Sequence, residues 1–316
     1  MLHIKEYNNT ANIENDIEEI IIDQLIYPLN NLPPTVNKIT IKKSINVYKR
    51  QNKIPYNCEL IIENITINNI DVFDNMKEED YLDITELRLI DCQLTSIPKS
   101  ISSLVNLQKL NLNNNQITNI PKSISSLVNL QKLDLSDNKI ISIPKSICSL
   151  INLRELSLGN NQITSIPESI CSLINLQKLD LDSNQITSIP ESIGSLVNLQ
   201  KLNLHHNKIT SIPESISLLI NLQKIDLSIN KIINIPKSIC SLINLQKLCL
   251  YGNKITSIPK SISSLVSLQN LDLAINEITS VPESIKLLVN LQELCLSNNK
   301  IKSIPRSITN KPYLKL

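Results

Sequence analysis

The sequence predicts an α/β repeat solenoid, in which parallel strands line one side and short helical turns line the other. Proline recurs with one constant spacing at ten places from Pro98 and Pro121 to Pro305, and asparagine recurs with the same spacing at nine places from Asn115 to Asn299. The chain of 316 residues is 41% hydrophobic, yet it has one Phe, no Trp and three Gly. Its core must therefore be a regular lattice of Leu and Ile.

Each part of one repeat has a physical reason. Leu110 and Leu112 alternate with polar neighbours, which indicates a short strand with one buried face. Pro121 fixes φ and can open a short helical turn, where its missing N–H costs nothing. The helical side is wider than the strand side, so we expect the stack to curve with its strands on the concave face. Neighbouring repeats must cover each other's apolar faces.

The recurring asparagine follows each strand, where the chain turns inward. A buried Asn side chain offers both donors and an acceptor, so it can satisfy loop backbone groups of its own repeat and of the next repeat. The predicted structural ladder consists of Asn115, Asn138, Asn161, Asn184, Asn207, Asn230, Asn253, Asn276 and Asn299.

The repeat resembles the leucine-rich-repeat family, whose pattern is L-x-x-L-x-L-x-x-N/C-x-L. One unit reads LQKLNLNNNQITNIPKSISSLVN, and residues 84–308 carry the match, with Cys92 in the asparagine position of the first repeat. The IP-x-SI-x-x-L-x-x-L consensus is similar to that of the intracellular Ras-group leucine-rich-repeat proteins. The resemblance implies a horseshoe-shaped protein-binding scaffold, with signalling partners such as a small GTPase or a phosphatase.

The pattern divides the chain into two parts. Residues 81–316 are expected to form a solenoid of about ten repeats, with a short C-terminal cap at Leu314-Lys315-Leu316. Residues 1–80 are expected to form an N-terminal capping region.

Two features stand out within this capping region. An apolar helical face predicts a capping helix over residues 13–26, with a partner-docking helix as the alternative. That face is formed by Ile13, Ile17, Ile20 and Ile21. Two β-like runs, at residues 39–41 and 60–62, each follow an apolar-Pro pair and predict degenerate repeats.

Charge and cysteine content limit the function classes. A net charge of +2 argues against a general attraction to nucleic acid or to an anionic membrane. No apolar run is long enough for a membrane span, and the first residues lack the apolar stretch of a signal peptide. Seven unclustered cysteines are an odd number and favour a reducing, intracellular and cytoplasmic compartment. We expect a monomer.

The sequence offers little for catalysis. Three glycines leave no room for a phosphate-binding loop, and no cysteine pair sits beside His205 and His206 to complete a zinc site. Cys249 and Cys295 have no convincing base among their predicted neighbours. We therefore expect no enzymatic activity, cofactor or metal.

A nucleic-acid partner is also disfavoured. A lysine column is largely cancelled by the aspartates beside it, and aromatic stacking platforms are absent. The lysines are Lys178, Lys201, Lys224 and Lys247, and the aspartates are Asp180, Asp226 and Asp272.

The predicted concave face changes character from His205 onward. Positions that vary between repeats are free to specify a partner, and apolar or aromatic residues on a polar face suggest an interaction patch. Gly252 leaves room for close approach. The candidate partner-binding residues are His205, His206, Ile229, Cys249, Tyr251, Ala274 and Ile275.

Three alternatives to this concave site stay open. The apolar residues could be sequence drift in an array with spare repeats, or the contact could lie on the convex side or in the N-terminal region. At the level of function, the runner-up is a structural or self-assembling repeat protein.

Overall fold

The computed structural model describes residues 2–7, 19–25, 36, 38–41, 58–63, 84–309, 312 and 314–315. The chain divides into two compact units. The N-terminal unit comprises Met1–Ile140 and Ser149–Glu155, and the C-terminal unit comprises Ile141–Cys148 and Leu156–Leu316.

The described strands of the N-terminal unit are parallel and neighbour one another in chain order. They are β1 (Leu2–Tyr7), β2 (Glu19–Leu25), β3 (Lys38–Ile41), β4 (Cys58–Glu63), β5 (Ile84–Ile90), β6 (Lys109–Asn111) and β7 (Lys132–Asp134). Its 3₁₀ helices are Lys99–Ser103 and Lys122–Ser126. A further helix, Lys145–Ser149, and strand β8 (Glu155–Ser157) each have residues in both units.

Strand β2 corrects the helix predicted over residues 13–26. Residues 19–25 form a strand that pairs with β1 and β3, and the remaining residues of the prediction lie outside the described residues. Ile20 and Ile22 are fully buried while Ile21 between them is half-buried. This alternation has the period of a strand, and three consecutive β-branched residues favour extended backbone over helix. The predicted helix is therefore wrong for residues 19–25.

The two β-like runs predicted in the N-terminal region lie in strands β3 and β4. Ile39 pairs with Ile20 of β2 and with Leu60 of β4, and each of these steps along the chain is shorter than the spacing of the prolines. Residues 42–57 and 64–83 lie outside the described residues, so the status of these runs as degenerate repeats stays a proposal.

The described strands of the C-terminal unit continue the constant spacing of the repeats. They are β9 (Lys178–Asp180), β10 (Lys201–Asn203), β11 (Lys224–Asp226), β12 (Lys247–Cys249), β13 (Asn270–Asp272), β14 (Glu293–Cys295) and β15 (Leu314–Lys315). Its 3₁₀ helices are Glu168–Ser172, Glu191–Ser195, Glu214–Leu218, Lys237–Ser241, Lys260–Ser264 and Glu283–Leu287.

The last strand lies where the C-terminal cap was predicted. Leu314 of β15 pairs with Leu294, and this step along the chain is shorter than the one from Leu271 to Leu294, so the final repeat is shortened. Leu316 of the predicted cap lies outside the described residues.

Proline opens the helices as the sequence predicts. Pro190 has φ −70°, and its carbonyl oxygen accepts a hydrogen bond of 3.1 Å from the N–H of Ile193. Ile193 and Leu196 are fully buried on this side, opposite Leu202 of β10. Each such side chain contributes about 1.5–3 kcal/mol when it leaves water. The predicted fold class is confirmed: parallel strands alternate with short helical turns around a Leu and Ile core.

A second set of asparagines joins neighbouring repeats on the helical side. Asn198 donates from Nδ2 to the carbonyl of Ile174 at 2.8 Å, and Asn221 donates likewise to Val197 at 2.8 Å. These amides are exposed, so each bond contributes less than one in the core. They hold the start of each returning segment against the preceding repeat.

Candidate protein-interaction site

The strand-to-turn loops are built on the buried asparagine ladder. Asn230 donates from Nδ2 to the carbonyls of Leu227 and Ser228 in its own repeat and to Leu204 in the preceding one, while its Oδ1 accepts from the N–H of Ile209 at 2.9 Å. The predicted bonds to the next repeat are therefore wrong in direction, because the inter-repeat bonds join Asn230 to the preceding repeat. Leu204 lies just beyond the end of β10, so its carbonyl accepts side-chain donors.

The residue before each ladder asparagine has left-handed backbone geometry. Other repeats use Asn, Asp, Ser or His here, but Ile229 and Ile275 each have φ 53°, and Gly252 between them has φ 66°. A β-branched residue adopts this region at a cost of about 1–2 kcal/mol. Strained residues of this kind cluster at functional sites.

Both strained isoleucines also face solvent. Ile229 is 39% exposed and Ile275 is 43% exposed, so each combines an unfavourable backbone with an unburied aliphatic side chain. Asn or Asp would avoid both penalties. Hydrophobicity alone places these residues in the predicted site, and the backbone strain is an additional finding of the structure. A β-branched residue directly before a ladder asparagine is the signal that could have revealed it.

Backbone hydrogen bonds hold the loops of the site together. The N–H of Ile229 donates to the carbonyl of Tyr251 at 2.7 Å, and the N–H of Gly252 donates to Ala274 at 3.0 Å. Tyr251 and His205 are half-buried, while His206 is exposed, and the two imidazole centroids lie 6.0 Å apart. We call the accessible set the strand-face patch; it comprises His205, His206, Ile229, Tyr251 and Ile275.

Two of the predicted partner-binding residues do not reach the surface. Cys249 is only 7% exposed and Ala274 only 6% exposed. Cys249 lies in register between Asp226 and Asp272 on the adjacent strands, which cover its short side chain. The N–H of Ala274 donates to Asp272 Oδ1 at 3.1 Å, and its side chain is a single methyl group that does not extend past the loop backbone. Both are therefore removed from the candidate site.

The thiol of Cys249 is poorly suited to nucleophilic chemistry. Burial is the main cause that raises its pKa from 9.0 to about 12, and the nearby Asp226 carboxylate contributes to this rise. The thiolate is the reactive form of cysteine. Cys249 is therefore a neutral packing residue at physiological pH.

This pKa predicts a loss of stability at alkaline pH. The folded-state pKa is raised, so the contribution of Cys249 is complete below pH 9, where the thiol is protonated in both states. As pH rises from 9 toward 12, the unfolded chain ionises first, and the free energy of unfolding falls by about 1 kcal/mol per pH unit. Denaturant melts of the parent and Cys249→Ser between pH 8 and 10 measure it. Equal pH slopes would contradict the assignment.

The strained backbone predicts two stabilising substitutions. Ile229→Asn and Ile275→Asn should each raise the free energy of unfolding by about 1 kcal/mol, because Asn tolerates left-handed geometry. Ile233→Asn is the matched control, since Ile233 is 49% exposed but is not among the residues with positive φ. It should change stability by less than about 0.5 kcal/mol. Destabilisation by the first two substitutions in urea melts would overturn the strain argument.

Two further properties of the described residues bear on function. Among the residues that the structure describes, no group of three or more His, Cys, Asp or Glu side chains is arranged to hold a metal ion. Within the same residues, no helix has the length and apolar character needed to cross a membrane.

Comparison with known structures gives three informative neighbours. The first is the leucine-rich-repeat ectodomain of the plant membrane receptor kinase GASSHO1/SCHENGEN3 from Arabidopsis thaliana, in complex with CASPARIAN STRIP INTEGRITY FACTOR 2 (26% identity, TM-score 0.69, 92% of this chain and 40% of that one). The second is the plant peptide hormone receptor RGFR1 in complex with RGF2 (26%, 0.63, 89% and 54%). The third is a plant ice-binding protein (27%, 0.59, 68% and 73%). This chain thus spans about half or less of the two receptor structures.

Comparison with protein-family models also finds leucine-rich repeats along the chain. The model described as "Leucine rich repeat" matches residues 83–140, 129–186 and 151–209, "Leucine-rich repeat region" matches 191–277, and "Leucine Rich repeats (2 copies)" matches 266–310. No curated protein matches the chain. The fold is generally a non-catalytic scaffold for protein interaction. The chain belongs to the leucine-rich-repeat family.

Proposed function

We propose that this protein binds another protein through the strand-face patch and catalyses no reaction. One observation carries the proposal: Ile229 and Ile275 hold exposed aliphatic side chains in strained left-handed backbone. Folding alone favours a polar residue or glycine at this position, as the other repeats have. Contact with a partner would bury both side chains and repay the cost.

The comparisons support a protein or peptide partner. The receptors GASSHO1/SCHENGEN3 and RGFR1 were solved in complex with CASPARIAN STRIP INTEGRITY FACTOR 2 and RGF2. A small GTPase or a phosphatase, implied earlier by resemblance, receives no such support, so the proposal does not name a pathway.

An intracellular location belongs to the same proposal. It rests on the odd cysteine count and on the six cysteines whose side chains the structure describes, which are all free. The two receptor neighbours offer no support for it.

Affinity capture from cell lysate tests the binding function. The bait is the full chain, and the matched variant carries His206→Asn, Ile229→Asn and Ile275→Asn, each placing at its position a residue that other repeats hold there. We expect the amount of a captured protein to fall by roughly tenfold or more when the variant is the bait. Thermal melts should show that the variant remains folded. Asp137→Asn, at the same position in the N-terminal unit, is the control. Equal capture by all three baits would reject the site.

Self-association is a second candidate function, favoured by a different observation. The C-terminal unit carries an exposed aliphatic side chain at one turn-side position in six successive repeats, between 43% and 81% exposed. Contiguous apolar surface of this kind marks interaction sites. The row is Ile174, Val197, Ile220, Ile243, Val266 and Val289. In sequence the row is a β-branched residue directly before Asn, or before Ser at Val266, but its exposure is seen only in the structure.

Sedimentation over a concentration series separates the two candidates. A monomer at all concentrations favours partner binding through the strand-face patch. A dimer that disappears in Ile220→Ser, Ile243→Ser favours self-association. The side chains of Ile220 and Ile243 are exposed, so replacing them should leave the fold intact.

A further inference from the structure

Gly252 leaves the strand-face patch without a side chain at its centre, and we call this position the gap. Gly252 occupies the left-handed position between Ile229 and Ile275, one repeat away on either side. A Cβ placed at Gly252 would lie 3.4 Å from Ile229 Cγ1, which is ordinary van der Waals contact. An apolar group of a partner placed over Gly252 would therefore contact Ile229.

Exposed lysines bracket this gap on both sides. Lys224 and Lys247 are paired in register on β11 and β12, before the patch in each repeat, and Lys231 and Lys254 follow it. All four are exposed, and none takes part in an ion pair among the described residues. Like charges directly opposite on neighbouring strands are destabilising, so these rows favour an anionic neighbour.

The nearby acidic groups offset this charge only in part, and less completely than the sequence predicts for the lysine column. Asp226 and Asp272 are half-buried, and each accepts a hydrogen bond from a backbone N–H two residues on, at 2.9 and 3.1 Å. Lys247 acts electrostatically on Asp272 and Lys254 on Glu277, which is also held by Lys300 at 2.7 Å. Four exposed lysines thus stand against three acidic groups, so the net charge around the gap is positive.

We propose that the strand-face patch takes an acidic protein segment that places one aliphatic or aromatic side chain over Gly252 and sets its carboxylates against the flanking lysines. This proposal rests on the proposed function and specifies its partner. The apolar gap favours a protein segment over a nucleic acid, because a sugar–phosphate backbone offers the lysines a charge but offers the isoleucines no side chain.

Selection from a random peptide library displayed on phage tests the proposal without a known partner. The full chain is the immobilised target, and the selected peptides are then synthesised and their affinities measured. We expect the enriched sequences to share one large apolar residue with Asp or Glu nearby. Lys231→Glu should weaken their binding by roughly tenfold or more, and binding should weaken with rising salt. Lys139→Glu, an exposed lysine four repeats earlier, should change affinity by less than about twofold.

Several outcomes would overturn the proposal. These are no enrichment over the uncoated surface, enriched peptides that are basic or uncharged, or equal effects of Lys231→Glu and Lys139→Glu. A single-stranded oligonucleotide that binds at the same lysines more tightly than any selected peptide would also overturn it. If a cellular protein is lost from the patch variant but binds independently of the lysines, the proposed function stands and only the acidic partner fails.

Discussion

Asn184→Ala is expected to lower the free energy of unfolding by about 3 kcal/mol. The Nδ2 of Asn184 donates to the carbonyls of Leu158, Leu181 and Asp182 at 2.9, 3.2 and 2.9 Å. Its Oδ1 accepts from the N–H of Ile163 at 2.9 Å. Alanine removes these bonds and leaves a buried backbone N–H without its partner, where water has no access. Two of the lost hydrogen bonds, to Leu158 and Ile163, join neighbouring repeats, so the substitution should also reduce the folding cooperativity between those repeats.

The adjacent residue provides a matched control for this effect. Gln185 is exposed and its Oε1 accepts only a surface bond of 3.1 Å from Lys208. Gln185→Ala should cost less than about 0.5 kcal/mol in the same denaturant melts. Similar losses from Asn184→Ala and Gln185→Ala would refute the role given to the ladder.

Tyr251→Ala is expected to weaken binding of the captured partner by roughly thirtyfold, which corresponds to about 2 kcal/mol. Tyr251 supplies a large ring and one hydroxyl, and few rotamers are frozen when it is covered. It lies between the loops of Ile229 and Ile275, whose aliphatic side chains would exclude water around the ring. Titration calorimetry or surface-bound titration measures the change.

The control for this substitution lies at the same repeat position six repeats earlier. Asn113 is on the polar part of the strand side, where its amide donates to Asp137 at 2.9 Å in an exposed contact. Asn113→Ala should leave affinity within about twofold of the parent. If Tyr251→Ala folds and binds like Asn113→Ala, then Tyr251 is not an anchor of the site.

The solenoid was predictable from the sequence because each repeat carries the same pattern of apolar residues, proline and asparagine. Residues equivalent to Pro190, Ile193 and Leu202 recur at the same positions in every repeat, so every repeat can adopt the same packed conformation. The capping region has no such repetition. Around Ile20, helical and extended interpretations of the apolar spacing compete, and pairing with β1 and β3 decides in favour of the strand.

The candidate site was only partly predictable for a different reason. Ile229, Tyr251 and Ile275 are apolar or aromatic at positions where other repeats mostly carry polar residues. This difference correctly identified them as accessible. Sequence alone did not show that Cys249 and Ala274 are covered, because that depends on the neighbouring loops and aspartates in three dimensions. The left-handed backbone was predictable in principle, since the position before the ladder asparagine is Asn, Asp, Ser, His or Gly in the repeats without isoleucine there.

Hydrogen–deuterium exchange on the complex with the captured partner tests the central claim most directly. Amides in the loops at residues 203–206, 226–229, 249–252 and 272–275 should exchange more slowly in the complex than in the free chain. The same positions in the N-terminal unit, such as residues 111–114, should be unchanged. Protection confined to the turn-side row or to residues 1–80, with the four loops unaltered, would contradict recognition by the strand-face patch.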